Sequence, residues 1–299
     1  MDTQRLILLV IFSFSLLMLW EAWEKDKRPK PAPPTPVAQQ QGVPAPAKPE
    51  ATPAKPPAAG VPAAEAPAKG EVVRVTTDLV MAEIDTRGAT LKRLELLKHK
   101  DSADPTHNFV LLGPEHKYEA QSGLVQEGGP NHLTLWSSAG KEYALAAGQD
   151  SVEVRLTGEG RDGLSVDKVY TFKRNSYVID VALEVRNKGS DAVTPYAYFQ
   201  FTHDGKAAAN VNKVAETFGA QSFIGYGLYT AEKAYEKIHP SDLDKGKFER
   251  RAESGWLAFV QHYFVSAWLP PEKLQRDYGA LKRNDGLYSG NVVVNPGAI

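Results

Sequence analysis

The sequence predicts a mainly β protein: a large antiparallel β-sandwich behind one N-terminal transmembrane helix and a Pro/Ala-rich linker. Three observations carry that expectation. One apolar run near the start is long enough to enter a bilayer. A stretch without aromatic residues follows it. From Glu71 onward, short segments rich in Val, Ile, Thr, Tyr and Phe alternate with turn residues. The predicted boundaries are 1–5 for the N-terminus, 6–23 for the helix, 24–70 for a disordered linker and 71–299 for the β domain.

From Leu6 to Trp20 every residue is apolar except Ser13 and Ser15. A serine hydroxyl can return to a helix carbonyl, so neither breaks the span. Glu21 interrupts the run before Ala22 and Trp23. The 18 residues from Leu6 to Trp23 rise about 27 Å as a helix, just enough for a hydrocarbon core of about 30 Å. Trp20 and Trp23 lie at one end, where amphipathic rings prefer the headgroup level. Leu6, Phe12, Leu16, Trp20 and Trp23 are the predicted anchor residues. A cleaved signal peptide has a shorter apolar core followed by small residues. Here the run ends in LWEAWEKDK, with bulky tryptophans flanking Ala22, so the segment reads as a retained anchor. Arg5 precedes it, and Lys25, Lys27, Arg28 and Lys30 follow. Counting Lys and Arg alone puts the C-terminal side in the cytoplasm.

Composition shifts again at Pro29. Through Gly70 the chain is dominated by Pro, Ala and Lys, and its only larger aliphatics are Val37, Val43 and Val61. Such a stretch buries too little apolar area to offset chain entropy. As flexible coil it reaches roughly 35–40 Å, and about 130 Å as extended polyproline II. It reads as a tether.

In the β region VVRVTTD, LVMAEID, TLKRLEL, NFVLL, HLTLWSS, KEYALA, SVEVRLTG, LSVDKVYTFKR, YVIDVALEV and TPYAYFQFTH read as strands, about a dozen in all with those that follow. Gly88 marks a turn or bulge, and Asn187-Lys188-Gly189 a turn. In YVIDVALEV, Ile179, Val181, Leu183 and Val185 alternate with Val178, Asp180, Ala182 and Glu184, the pattern of a strand with one wet face. SGWLAFVQHYFVSAWLP reads as strand, turn, strand, broken at Gln261-His262. TAEKAYEKI is the one short helix expected, with Thr230 as its N-cap.

Chemistry is sparsely marked. The net charge of -1 argues against a nucleic-acid partner, and the absence of cysteine excludes thiolate chemistry and Cys-ligated metals. The seven histidines, His99, His107, His116, His132, His203, His239 and His262, form neither H-x-H nor H-E-x-x-H. No G-x-S-x-G elbow or Walker loop occurs, and Ser122 in QSGL lacks the first elbow glycine. His203-Asp204 reads as closing a turn with Gly205. No catalytic, cofactor-binding or metal residue is therefore assigned, and the chain is not expected to be an enzyme or to carry a cofactor.

Several phrases resemble a known family. The opening MDTQR with its apolar run and LWEAWEKDK is similar to the start of the bacterial YidC membrane-protein insertases, of the YidC/Oxa/Alb group. So are DTRGATLKRLEL, YEAQSGL, FKRNSYVIDVALEVRNKG and SGWLAFVQHYFVSAWLP. The resemblance runs along almost the whole chain and is weakest in the linker. It implies a cytoplasmic N-terminus, an uncleaved signal-anchor in the bacterial inner membrane, and a first periplasmic domain folded as a twisted supersandwich. It also implies a role in inserting, folding and assembling inner-membrane proteins, alone or with the Sec translocon. The expected partners are nascent inner-membrane proteins, Sec translocon subunits and the lipid bilayer.

The resemblance further implies five more membrane helices forming a hydrophilic groove with an essential basic residue. After Trp23 no second stretch here is long enough to cross a bilayer, so no groove residue carries over. The sequence is expected to be a fragment whose β domain is truncated at its C-terminus, leaving an unpaired strand edge. The implied orientation opposes the one the basic residues give. The alternative reading is a membrane-anchored periplasmic carbohydrate-binding or mutarotase-like module, in which His203 and His262 with a nearby carboxylate would supply acid and base. A third, compatible with the first, is a docking domain for Sec subunits.

Overall fold

Alternating burial organises most of the β region. Val73 and Val75 are buried between exposed Val72, Arg74 and Thr76, and Val154 and Leu156 are buried on either side of exposed Arg155. The computed structural model describes residues 69–206, 223–261, 263–272, 274–295 and 297, together with Phe12, Leu16 and Trp20. Among them are eighteen strands. In chain order they are β1 (Val72–Thr76), β2 (Val80–Asp85), β3 (Thr90–Lys100), β4 (Asn108–Leu112), β5 (Glu119–Leu124), β6 (Ser137–Ser138), β7 (Glu142–Ala144), β8 (Ser151–Glu159) and β9 (Leu164–Lys173). Then follow β10 (Ile179–Asn187), β11 (Ala197–His203), β12 (Ile224–Thr230), β13 (Ala234–Ile238), β14 (Phe248–Ala252), β15 (Trp256–Gln261), β16 (Phe264–Trp268), β17 (Arg276–Lys282) and β18 (Tyr288–Val294).

A ten-stranded sheet runs β14-β17-β18-β11-β5-β3-β2-β1-β7, with β4 added beside β3. Two four-stranded sheets, β10-β9-β8-β6 and β13-β12-β15-β16, pack against it. Only β1 and β7 pair in parallel; the other described pairs are antiparallel. The mainly β, antiparallel sandwich is as the sequence predicts. So are the wet-faced β10 and the strand–turn–strand of β15 and β16. Phe12, Leu16 and Trp20 are helical and exposed, four residues apart on one helix face. Leu6, Trp23, the rest of the 6–23 span and the linker as far as residue 68 lie outside the described residues.

Three expectations change. TAEKAYEKI is a hairpin: Thr230 ends β12, and Ala234, at φ 54, turns the chain into β13. Thr230 does accept the Lys233 N–H through its hydroxyl at 3.3 Å, but the cap closes one turn only. Tyr229 and Tyr235 flank Trp256 with ring centroids 5.8 and 6.1 Å away, and that aromatic packing outweighs helix propensity. HLTLWSS is mostly a turn, because His132 and Trp136 both insert into the core, leaving a single bridge from Leu135 to Arg87 and the two-residue strand Ser137–Ser138. Finally β18 is no edge, since it pairs with β17 on one side and β11 on the other.

The β10-β9-β8-β6 sheet meets the large sheet through an ammonium group. Val166, Lys168, Tyr170 and Phe172 share the inner face of β9 and are buried. Lys168 Nζ donates to the carbonyls of Gly88 at 2.7 Å, Ala89 at 3.2 Å and Ser122 at 2.8 Å. It also lies 4.8 Å from the Trp136 ring, and the Tyr170 hydroxyl adds a second donor to Ala89 O at 2.6 Å. Burial pushes the Lys168 ammonium down to about 7; the carbonyls and the ring face act in the opposite direction. Gly88, at φ 77, makes the turn possible, and a Cβ there would stand 2.3 Å from the His132 carbonyl oxygen. On the outer face Asp167 is raised by burial, but hydrogen bonds from Arg186, Thr157 and Arg155 outweigh this and hold its carboxyl below the usual range.

Two predictions follow from this core. Lys168→Met leaves three buried carbonyls short of a donor while relieving an unpaired charge. The net loss expected in urea denaturation is roughly 2–4 kcal/mol. His132 bonds the Tyr198 hydroxyl through its backbone N–H at 3.0 Å and through Nδ1. Burial, then the charges of Arg283, Lys168 and Arg87, push its imidazolium down to about 4, against about 6.5 when unfolded. Between these values the unfolded chain binds the extra proton, so stability falls as pH drops from about 6.5 to 4. This group contributes about 3 kcal/mol of that fall. His203, also held at about 4 by burial, acts in the same window. The pH dependence of the urea midpoint is therefore expected to lose about half its slope in His132→Gln.

Candidate functional site

Two strand ends of the large sheet bring together residues far apart in sequence. Between β4 and β5 the chain makes a short 3-10 turn over Pro114–His116 and leaves it through Lys117, whose φ of 51 is left-handed. Reciprocal hydrogen bonds of 3.1 Å between Gly113 and Tyr118 close the base of this loop and hold His116 at its tip. Proline at the first turn position and acidic Glu115 favour the turn locally. Alongside, β11 ends in His203, followed by Asp204 and Gly205. The Asp204 N–H donates to His116 O at 2.9 Å, and the Thr202 hydroxyl to Lys117 O at 3.1 Å. These bonds extend the β5–β11 pairing one step past the ladder and fix the two ends relative to each other.

At their junction His116 Nδ1 lies 3.3 and 3.4 Å from the two Asp204 carboxylate oxygens. His203 Nδ1 lies 3.4 Å from Asp204 Oδ1 and accepts the Gly205 N–H at 2.8 Å. The two imidazoles stack with centroids 5.3 Å apart and planes 15° from parallel. Phe259 lies 4.3 Å from His203, and Tyr118 meets it edge-on at 5.4 Å. Burial pushes His203 down to about 4, with Asp204 opposing and His116 adding to the effect, so the ring is neutral at pH 7. Burial likewise raises the Tyr118 phenol, and the nearby Ser266 hydroxyl opposes that rise. A pocket of about 210 Å³ opens beside His116, lined among others by Arg93, Leu111, Glu115, Tyr118 and Gln261. Gln261 is fixed by donating to Leu111 O at 3.0 Å, and Arg93 by donating to Glu95 at 2.9 Å.

His203-Asp204-Gly205 forms the turn its sequence predicts, with Gly205 at φ 74. What sequence reading missed is His116, which approaches Asp204 from 88 residues away. Among the described residues this is the one group of three His, Cys, Asp or Glu side chains placed to hold a metal ion. His203 is 2% exposed, and His262, its expected partner in acid–base work, lies outside the described residues. The other histidines stand apart: His107 pairs with exposed Asp104 at 2.8 Å, His99 packs on Tyr177 and Phe264, and His239 on Phe223. Ser122 serves the core through its carbonyl to Lys168.

Residues 72–299 match the family described as the YidC periplasmic domain. The chain is 42% identical over 298 residues to the membrane protein insertase YidC of Methylobacillus flagellatus, covering 97% of this chain and 52% of that protein. It is 41% identical over 328 residues to the namesake of Nitrosomonas eutropha, covering 100% of this chain and 52% of that protein. The chain thus spans about half the length of the curated relatives it matches. Among solved structures, a galactose mutarotase-like protein from Lactobacillus casei is similar at a TM-score of 0.44 and 11% identity, covering 75% of this chain and 87% of that one.

Proposed function

The chain belongs to the family of the YidC periplasmic domain, and from that membership we propose that it is the anchored, periplasmic part of a membrane-protein insertase. Residues 1–5 are cytoplasmic, Leu6 to Trp23 cross the inner membrane, 24–70 form the tether, and 71–299 are the β domain on the periplasmic side. Leu6, Phe12, Leu16, Trp20 and Trp23 hold the anchor in lipid. The observation that carries the reading is the family match beginning at residue 72, one residue past the composition boundary that ends the linker. The apolar run and the Pro/Ala-rich stretch before it support the layout.

In this role the chain helps insert, fold and assemble inner-membrane proteins, with nascent membrane proteins, Sec translocon subunits and the bilayer as partners. It acts by holding and docking rather than by chemistry. Exposed Tyr263, Val265 and Leu269 at β16 support a docking surface there. The basic residues after Trp23 favour the opposite orientation, so topology is the decisive measurement. Protease added outside spheroplasts is expected to digest the β domain, and full protection would overturn the layout. Site-specific cross-linking from position 265 in membranes is expected to capture Sec subunits or nascent membrane proteins. Adducts confined to lipid would remove the docking role.

A further inference from the structure

We infer that His116, His203 and Asp204 form a binding site for a divalent transition-metal ion of the zinc class, with its open coordination position towards the pocket beside His116. Zinc bound tetrahedrally by imidazole and carboxylate has bonds of about 2.0–2.1 Å, which sets its ligand atoms about 3.4 Å apart. Two edges of such a tetrahedron are already formed: His116 Nδ1 to Asp204 Oδ1 at 3.3 Å and His203 Nδ1 to the same oxygen at 3.4 Å. The three residues can each offer one ligand atom with all three within 4.8 Å of one another, so small side-chain rotations complete the set. Two imidazoles and one carboxylate suit zinc, nickel or copper and disfavour magnesium, which prefers oxygen ligands and its own water shell.

The surrounding structure supplies what a metal site needs beyond its ligands. The Asp204 N–H to His116 O bond holds the two loops in register. Phe259 and Tyr118 pack against the buried His203 ring and set its plane. The Lys206 N–H donates to Asp204 Oδ1 at 2.9 Å, orienting the carboxylate as outer partners orient metal ligands. The Gly205 N–H now bonded to His203 Nδ1 belongs to a partly exposed residue. On metal binding it exchanges this acceptor for water. The pocket lined by Glu115, Tyr118 and Gln261 leaves room for a water as fourth ligand. Bound there, the ion fastens the 3-10 turn to the end of β11.

The test is calorimetric titration of Zn²⁺ into the untagged 299-residue chain in a non-chelating detergent, with Mg²⁺ as comparison. One zinc per chain and a raised thermal midpoint are expected, with no response to Mg²⁺. Loss of an orienting partner alone typically weakens metal binding 10–100-fold, so loss of a direct ligand in His116→Ala or Asp204→Asn is expected to weaken it by roughly a hundredfold or more. His116 sits at a loop tip, and far-UV circular dichroism checks that its variant stays folded. His107→Ala, at the exposed His107–Asp104 pair, is expected to bind as the parent chain does. No saturable zinc binding by the parent chain, or binding retained in both His116→Ala and Asp204→Asn, would overturn the site.

Discussion

A single ammonium group in the core constrains how the sheets can meet. Lys168 has three N–H donors, and three backbone carbonyls take them. Gly88 and Ala89 sit in a left-handed turn, at φ 77 and 44, where the ladder of β2 and β3 cannot serve every carbonyl. The lysine reaches across from β9 to supply donors that the sheet lacks. Trp136 covers one side of the ion, and Tyr170 shares one of its acceptors. No carboxylate is among the groups bonded to it, so the charge is solvated by backbone dipoles and the Trp136 ring face. The inner face of β9 can therefore lie in only one register over the large sheet: a slip of one residue would turn Asp167 away from Arg155 and Arg186 into the apolar core and take the amine away from its acceptors.

Most of the strands were readable because alternation needs only neighbours in sequence. In LSVDKVYTFK the pattern itself pointed inward at Lys168, which shares a face with Val166, Tyr170 and Phe172. A lysine on an apolar stripe is a visible signal, although its acceptors are not. TAEKAYEKI misled because propensity and capping are local, while the Trp256 ring that decides its conformation arrives from β15. HLTLWSS misled because His132 and Trp136 are core residues of a turn, and their alternation mimics a strand. The His116–Asp204 pairing could not be read at all. Nothing in either segment marks the other, and the contact exists only because β5 and β11 are neighbours in the sheet.

That adjacency also explains why chemistry-bearing side chains gather at this edge. β11 carries Phe199 and Phe201 against Trp268, and His203 continues the same face against Phe259. The stripe becomes polar only at its last residue, which is still covered by Phe259 of β15. On the outer side of the other small sheet solvent-exposed Arg155, Glu184 and Arg186 form an ion-pair network around buried Asp167. The domain thus has one strongly solvated flank and one flank where aromatic rings reach the surface.

The placement of β18 has a bearing on how this domain is made. β18 lies between β17 and β11, and β11 in turn pairs with β5. Residues 119–124, 197–203 and 288–294 must therefore come together before the central ladder is continuous. In synthesis from the N-terminus, the β18 side of β11 has no partner until residues 288–294 have been made. Closure of the central ladder therefore waits for β18, and until then the backbone groups on that side of β11 stay unpaired by the sheet.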